Sequence, residues 1–181
     1  MIDLLNTGSS RKLTLISAPA GFGKSTLLSA WVHLGDQVHP SSFRPHPSKV
    51  AWLSLDAGDN DLTRFLSYFI AALQRVGDEF GKSALVALQS PGDVNTEVIL
   101  TTLLNEIAEF PENLMFVLDD YHVIESQPID RAITFIIEHL PTPLHLVIAS
   151  RIDPTLPLSR LRARGEMTEI RANDLRFTLE E

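Results

Sequence analysis

One turn constrains this chain more than any other feature. Ala18-Pro19-Ala20-Gly21-Phe22-Gly23-Lys24-Ser25 lies between a short apolar run, Leu13 to Ser17, and a helically spaced set, Leu27, Leu28, Trp31 and Val32. It is the G-x-x-x-x-G-K-[ST] pattern with Ala18 in place of the first Gly. A buried strand that runs through such a turn into a helix is a ready-made anion cradle. Gly21 and Gly23 let the backbone take positive φ and wrap closely around phosphate oxygens. The helix start adds unpaired N–H groups and the favourable end of its dipole. In this pattern Lys24 reaches the β- and γ-phosphates. Ser25 offers its hydroxyl to Mg²⁺ and Thr26 offers another to a phosphate. Ala20 to Thr26 is thus the candidate nucleotide-binding stretch. Ala at position 18 is tolerated wherever φ stays negative.

The rest of the chain repeats the same alternation. Val50 to Leu55, Leu114 to Leu118, Leu144 to Ala149 and Met167 to Ile170 read as further strands. Leu62, Phe65, Leu66, Phe69, Leu73 and Val76 fall at helical spacing, and Asp or Asn within Ala57 to Asp61 can cap that helix. Helices are also predicted at Ser83 to Leu88, Asn95 to Phe110, Pro128 to Leu140 and Leu158 to Ala163. Gln37 to Lys49, with Pro40, Pro45 and Pro47, reads as a loop. Apolar strands alternating with helices predict a parallel sheet covered on both faces, an α/β fold. In such sheets ligands bind at the carboxyl ends of strands.

Two more strand ends carry suggestive groups. Leu114-Met-Phe-Val-Leu-Asp119-Asp120 ends in paired carboxylates. Asp119 fits a Mg²⁺ ligand, and Asp120 fits a group that orients or deprotonates attacking water. Glu125 stands several residues further on. Leu146-Val-Ile-Ala-Ser150-Arg151 places an Arg at a core strand end, where its fork suits a γ-phosphate. The plainer reading of Arg151 is a surface pair with Asp153 or another carboxylate.

Composition excludes several classes. The chain has 181 residues, no Cys and a formal net charge of −8. It is long enough for one domain, it has no thiolate zinc site or cysteine nucleophile, and it is a poor whole-surface nucleic-acid binder. No apolar run reaches membrane-spanning length, and Met1-Ile-Asp-Leu-Leu-Asn6 lacks a secretory pattern, so a cytoplasmic domain without membrane contact is expected. His33, His39 and His46 lack ligand-like spacing and read as solvated. Arg160, Arg162 and Arg164 read as a solvated face, with a reach to a neighbouring subunit's γ-phosphate as the lesser option.

Three segments agree in order: APAGFGKST, LMFVLDDYH and LHLVIASR. Together they resemble the ATPase domain of STAND-class P-loop NTPases, and within these the MalT-type, large ATP-binding regulators of the LuxR family. VAWLSLDAGDND, VLDDYHVI and RLRARGEMTEIRANDLRFTLEE are similar to that family too. The resemblance implies a three-layer α/β/α P-loop NTPase core over residues 1–175, with a five-stranded sheet of order 5-1-4-3-2. It implies that 176–181 begin a helical, winged-helix-like segment. It assigns catalytic roles to Lys24, Asp120 and Arg151, and Mg²⁺ to Ser25 and Asp119. It implies ATP and ADP as ligands, self-association in the full-length protein, and DNA contact only through a C-terminal helix-turn-helix outside this chain. The leading expectation is an ATP-binding switch that hydrolyses slowly. A nucleotide-binding module without turnover is the alternative, and a small-molecule kinase stands behind it.

Overall fold

The computed structural model describes residues 1–37, 49–89 and 95–175, with the side chains of 34–37 left aside. The elements follow the chain as α1 (Ile2–Gly8), β1 (Leu13–Ser17), α2 (Lys24–Gln37), β2 (Lys49–Ser54), α3 (Leu62–Gln74), α4 (Lys82–Gln89) and α5 (Thr96–Ala108). They continue as β3 (Leu114–Asp119), α6 (Gln127–Glu138), β4 (Leu144–Ser150), α7 (Leu158–Arg164) and β5 (Met167–Arg171). The strands form one sheet in the order β2-β3-β4-β1-β5. Every pairing is parallel. Read from the other edge this is 5-1-4-3-2, as the resemblance implies.

Strand β4 lies between β1 and β3, so three non-consecutive segments are brought side by side. Ser17 pairs in register with Ser150, and Leu118 with Ile148. Strands β1, β3 and β4 are buried throughout. Their side chains alternate between two apolar layers. Leu13, Leu15, Phe116, Leu118, Leu146 and Ile148 face the layer built by α3, α4, α5, α6 and α7. Ile16, Met115, Val117, Val147, Ala149 and Ile170 face Leu5 of α1 and Leu28 and Trp31 of α2. The result is three layers. In the thicker layer the Phe69 and Phe116 rings stack 4.0 Å apart, fixing α3 against the sheet.

Helix ends follow the chemistry of their sequences. Asp61 accepts from the Arg64 amide at 2.8 Å and caps α3, as Ala57 to Asp61 led us to expect. Asn95 caps α5. Pro128 sits in the first turn of α6. Helix α1 was not legible in the sequence. Its seven residues span under two turns, with no capping side chain. It stands because Leu5 is buried and Asn6 Oδ1 accepts from the Trp31 indole at 2.7 Å. Its last residue must be Gly8, since a Cβ there would meet Thr168 Oγ1 at 2.6 Å.

His145 on β4 is a core histidine rather than a ligand. Its Nδ1 lies 2.7 Å from the Arg11 carbonyl and its Nε2 3.0 Å from the Thr14 hydroxyl. The carbonyl can only accept, so Nδ1 carries the proton and Nε2 accepts from Thr14. Burial pushes its pKa below the usual value, with the Arg11 bond acting the other way. A lowered folded pKa means that stability is complete above the unfolded value and is lost as pH falls below it. Thermal melts should therefore show a midpoint that declines below about pH 6.5. The decline should flatten in His145→Gln; an unchanged slope in that variant would remove His145 as its cause.

Candidate functional site

The turn after β1 takes the predicted shape. Gly21 and Gly23 have φ of 83° and 72°. A Cβ at either would meet nothing within 4 Å, so the backbone conformation and not crowding selects glycine. The turn is anchored at its base by the Ala18 amide, which donates to the Ser150 carbonyl at 3.2 Å. At its far end the Leu27 amide donates to the Gly23 carbonyl at 2.8 Å. The N–H groups of Lys24, Ser25 and Thr26 head the helix without helical partners. Ala20, Gly21, Gly23, Ser25 and Thr26 are exposed and Phe22 is half-buried.

Lys24 is buried, and its ammonium lies across the turn. Nζ donates to the carbonyls of Ala18 at 2.8 Å and Pro19 at 3.1 Å. The third N–H of the ammonium remains for a phosphate. Burial lowers the Lys24 pKa. Asp120 and Asp119 act to raise it, and Arg151 acts to lower it. The structure thus brings Lys24, Asp119, Asp120 and Arg151 into one electrostatic neighbourhood.

Alternation along the strands explains where each carboxylate goes. Met115 and Val117 face the α2 layer, so Asp119 follows them onto that face, beside the helix that begins with Lys24 and Ser25. It is 5 % exposed. Its Oδ1 accepts from the Asp120 amide at 2.9 Å. Asp120 then takes φ 57° and ψ 34°. Among the described residues it is the one non-glycine at positive φ. Asp enters this region more readily than most residues, but the conformation costs roughly 1 kcal/mol or more. The kink ends β3 and starts the 3₁₀ turn Tyr121–Val123.

That turn brings in a residue the motif reading passed over. His122 Nδ1 lies 3.7 Å from Asp120 Oδ1. Its pKa is lowered by burial first and by Arg151 second; Asp120 opposes this, Lys24 lowers it further, and Asp119 again opposes. The turn itself is held from two sides. Asn60 Nδ2 donates to the Val123 carbonyl at 2.9 Å, and its Oδ1 accepts from the Glu125 amide at 2.7 Å. The buried Tyr121 hydroxyl donates to Asp130 Oδ1 at 2.8 Å. Glu125 itself is exposed beyond the turn.

The Ser-Arg strand end resolves differently from its plainer reading. Asp153 does not pair with Arg151. It accepts from the Ser17 hydroxyl at 3.0 Å and is bound by Arg171. Those hydrogen bonds, chiefly from Arg171, hold its carboxyl below the usual range. Arg151 makes no ion pair among the described residues and is exposed. Within the basic run, Arg160 meets Glu138 at 2.6 Å and Arg162 grips Glu169 through two bonds of 2.9 and 2.8 Å. His33 is exposed, and His39 and His46 lie outside the described residues. So do Gln37's successors up to Ser48, and 176–181. No cluster of three or more His, Asp or Glu among the described residues is placed to hold a metal.

The comparisons with known proteins agree with this geometry. No family model matches the chain. The regulator named HTH-type transcriptional regulator MalT from Cronobacter sakazakii is 36% identical over all 181 residues. Its counterpart from Klebsiella pneumoniae is 33% identical over the same length. The serine/threonine-protein kinase PknK from Mycobacterium tuberculosis is also 33% identical over the whole chain. The chain is thus similar over its whole length to one segment of these longer proteins. The chain spans 19% of the MalT sequences and 16% of PknK. In structure it is similar to Cdc6p from Pyrobaculum aerophilum, with a TM-score of 0.59 at 14% identity, covering 94% of this chain and 43% of that one. Drosophila ORC bound to AT-rich DNA and Cdc6 aligns with a TM-score of 0.53 at 13% identity, covering 94% and 51%. At such identities the likeness is one of fold. No helix among the described residues is long and apolar enough to cross a membrane.

The glycines give a direct test of the turn. Gly23→Ala should cost about 1–2 kcal/mol, the price of a left-handed alanine. Gly23→Asn should recover part of that loss, since no neighbour blocks the side chain. Urea unfolding of the three proteins measures both. A full-size loss in both variants would instead indicate crowding.

Proposed function

We propose that this domain is an ATP-binding switch that hydrolyses its nucleotide slowly with Mg²⁺. The observation that carries the reading is the convergence of Lys24, Asp119, Asp120 and Arg151 on a turn whose glycines hold positive φ. The donor set fits a Mg-nucleotide. The turn presents backbone N–H groups and an ammonium to phosphates. Ser25 and Asp119 flank the start of α2, as oxygen ligands of Mg²⁺ should. When bound, Mg²⁺ supplies charge neutralisation between phosphate oxygens.

The side chains divide the work. Lys24 keeps its turn closed through Ala18 and Pro19 and turns its remaining donor toward the phosphates. Ala20 to Thr26 lend backbone and hydroxyl donors. Arg151, unpaired by any carboxylate among the described residues, offers its fork to the terminal phosphate. Asp120, half-exposed on its left-handed kink, orients the attacking water. Turnover then resets the switch. A pure binding module remains the second reading, because no Glu stands at the end of β3.

The output lies in what the domain is joined to. Similar segments occur in proteins named as a transcriptional regulator and as a protein kinase, each several times longer. The MalT likeness favours a cytoplasmic regulator in which nucleotide controls self-association. There, DNA is held by a helix-turn-helix outside this segment, and the net charge of −8 suits a domain that does not itself grip DNA.

Two measurements test this. Mg·ATP at a hundredfold over its Kd should add about 2.7 kcal/mol to thermal stability. Lys24→Ala should abolish that gain; no gain in the intact domain would defeat the proposal. In a multiple-turnover phosphate-release assay, Asp120→Asn should lose release by about a hundredfold or more while still binding ATP. Asn tolerates the same backbone, so a folded, inactive variant is expected. Wild-type binding without any release would leave the pure binding module as the function.

A further inference from the structure

The sheet has two outer strands, and they are finished differently. At β5, Gly8 of α1 lies against Thr168, and Glu169 and Arg171 are tied into ion pairs. Strand β2 forms the other edge, with β3 as its one neighbour among the described residues. The Lys49 amide donates to the Asn113 carbonyl, and the Leu55 amide to the Asp119 carbonyl. In a parallel ladder alternate residues face the same neighbour, so Ala51 and Leu53 also turn their amides to β3. The N–H and C=O groups of Val50, Trp52 and Ser54 therefore point outward. An open row of this kind is a template for another strand. Val50 to Ser54 holds no Pro, Gly or charged residue that would discourage such pairing.

The side chains around this edge suit an interface. Trp52 is half-buried on the α2 face of the sheet. On the opposite face α3 turns Tyr68, Ala71 and Arg75 outward, at spacings of three and four. These three line one cleft with Leu53 and Ser54. Tyr68 is 48 % exposed. Arg75 is exposed and meets no carboxylate among the described residues. Trp, Tyr and Arg are the side chains on which protein contacts most often depend.

We propose that this edge docks a second copy of the chain about a two-fold axis through Trp52, joining the two sheets into one. The occupant is a second copy because the edge is complementary to itself. Paired antiparallel about Trp52, Val50 of one copy faces Ser54 of the other, and their outward groups match. Trp52 meets Trp52 of the second copy, a favourable cross-strand pair. Lys49 then lies beside Leu55 and Asp56 of the second copy. Lys49 reaches Glu112 only at 3.9 Å, and Asp56 has no ion pair among the described residues, so opposite charges meet at both ends of the strand. On the α3 face the same axis passes near Ala71, which is small enough for close approach. It sets Tyr68 of one copy against Arg75 of the other, an aromatic face against a cation. Such a contact closes on itself and stops at two copies. It uses neither the phosphate turn nor Arg151, so it stands apart from the nucleotide-controlled self-association proposed above.

Sedimentation velocity of the nucleotide-free chain tests this. The wild type should pass from monomer to dimer as its concentration rises. Ser54→Pro removes one outward donor from each copy and spares the β3 ladder, because the Ser54 amide does not face β3. It should weaken the dimer about tenfold or more, with circular dichroism showing an unchanged fold. Lys49→Glu and Asp56→Lys should each weaken the dimer as well, since each sets like charges against one another. Mixing those two single variants should restore it, because every contact then joins opposite charges. That restoration decides the matter even where Ser54→Pro folds poorly. A chain that stays monomeric at every concentration would overturn the proposal. So would a dimer that forms equally well in all three variants, a mixture that restores nothing, or a dimer that appears only with Mg·ATP.

Discussion

The insertion of β4 between β1 and β3 is the constraint on which the site depends. Parallel pairing aligns all carboxyl ends at one edge, and this strand order makes neighbours of three distant stretches of chain. Ser17 lies against Ser150, and Ala18 is bonded to it. This order sets the phosphate turn next to the strand that ends in Ser150, with the strand that ends in Asp119 one place further on. The buried apolar faces of β1, β3 and β4 supply the energy, because each strand is covered on both sides. The polar groups at the edge then occupy positions that packing has already fixed.

Much of this was legible in the sequence, for a physical reason. Central parallel strands are buried on both faces, so LTLIS, LMFVL and LHLVIA appear as uninterrupted apolar runs. Gly21 and Gly23 are needed for positive φ, and that demand is written in the residue type. The strand order was not readable from periodicity, and came from family likeness. Short or irregular pieces escaped. Helix α1 is held by Leu5 and by the Trp31–Asn6 bond, both tertiary. His122 looked like one residue of a loop because its importance comes from where the Asp120 kink delivers it. That Arg151 pairs with no carboxylate among the described residues was equally hidden. The sequence offered Asp153 two residues away, and only the fold reveals that Ser17 and Arg171 claim that carboxylate.

The same Asp153 contacts link parts of the molecule that the sheet alone would keep separate. Ser17 ends β1, Arg171 ends β5, and Asp153 lies in the segment just after Arg151. Glu169 and Arg162 extend the chain of ion pairs onto α7. Exposed pairs of this kind add little stability singly. Their value is geometric: they fix the loop that carries Arg151 relative to the strand that carries the phosphate turn.

The left-handed backbone at Asp120 has a consequence for how such domains can diverge. Asp and Asn are the side chains that enter this conformation most easily, whereas a longer acid would have to carry the strain or unwind the turn behind it. Unwinding would move His122 and release the Asn60 clamp. A lineage built on this kink is therefore free to switch its carboxylate off by a one-step change to the amide, but not to lengthen it. Substitution at this position is thereby channelled toward Asn and away from Glu.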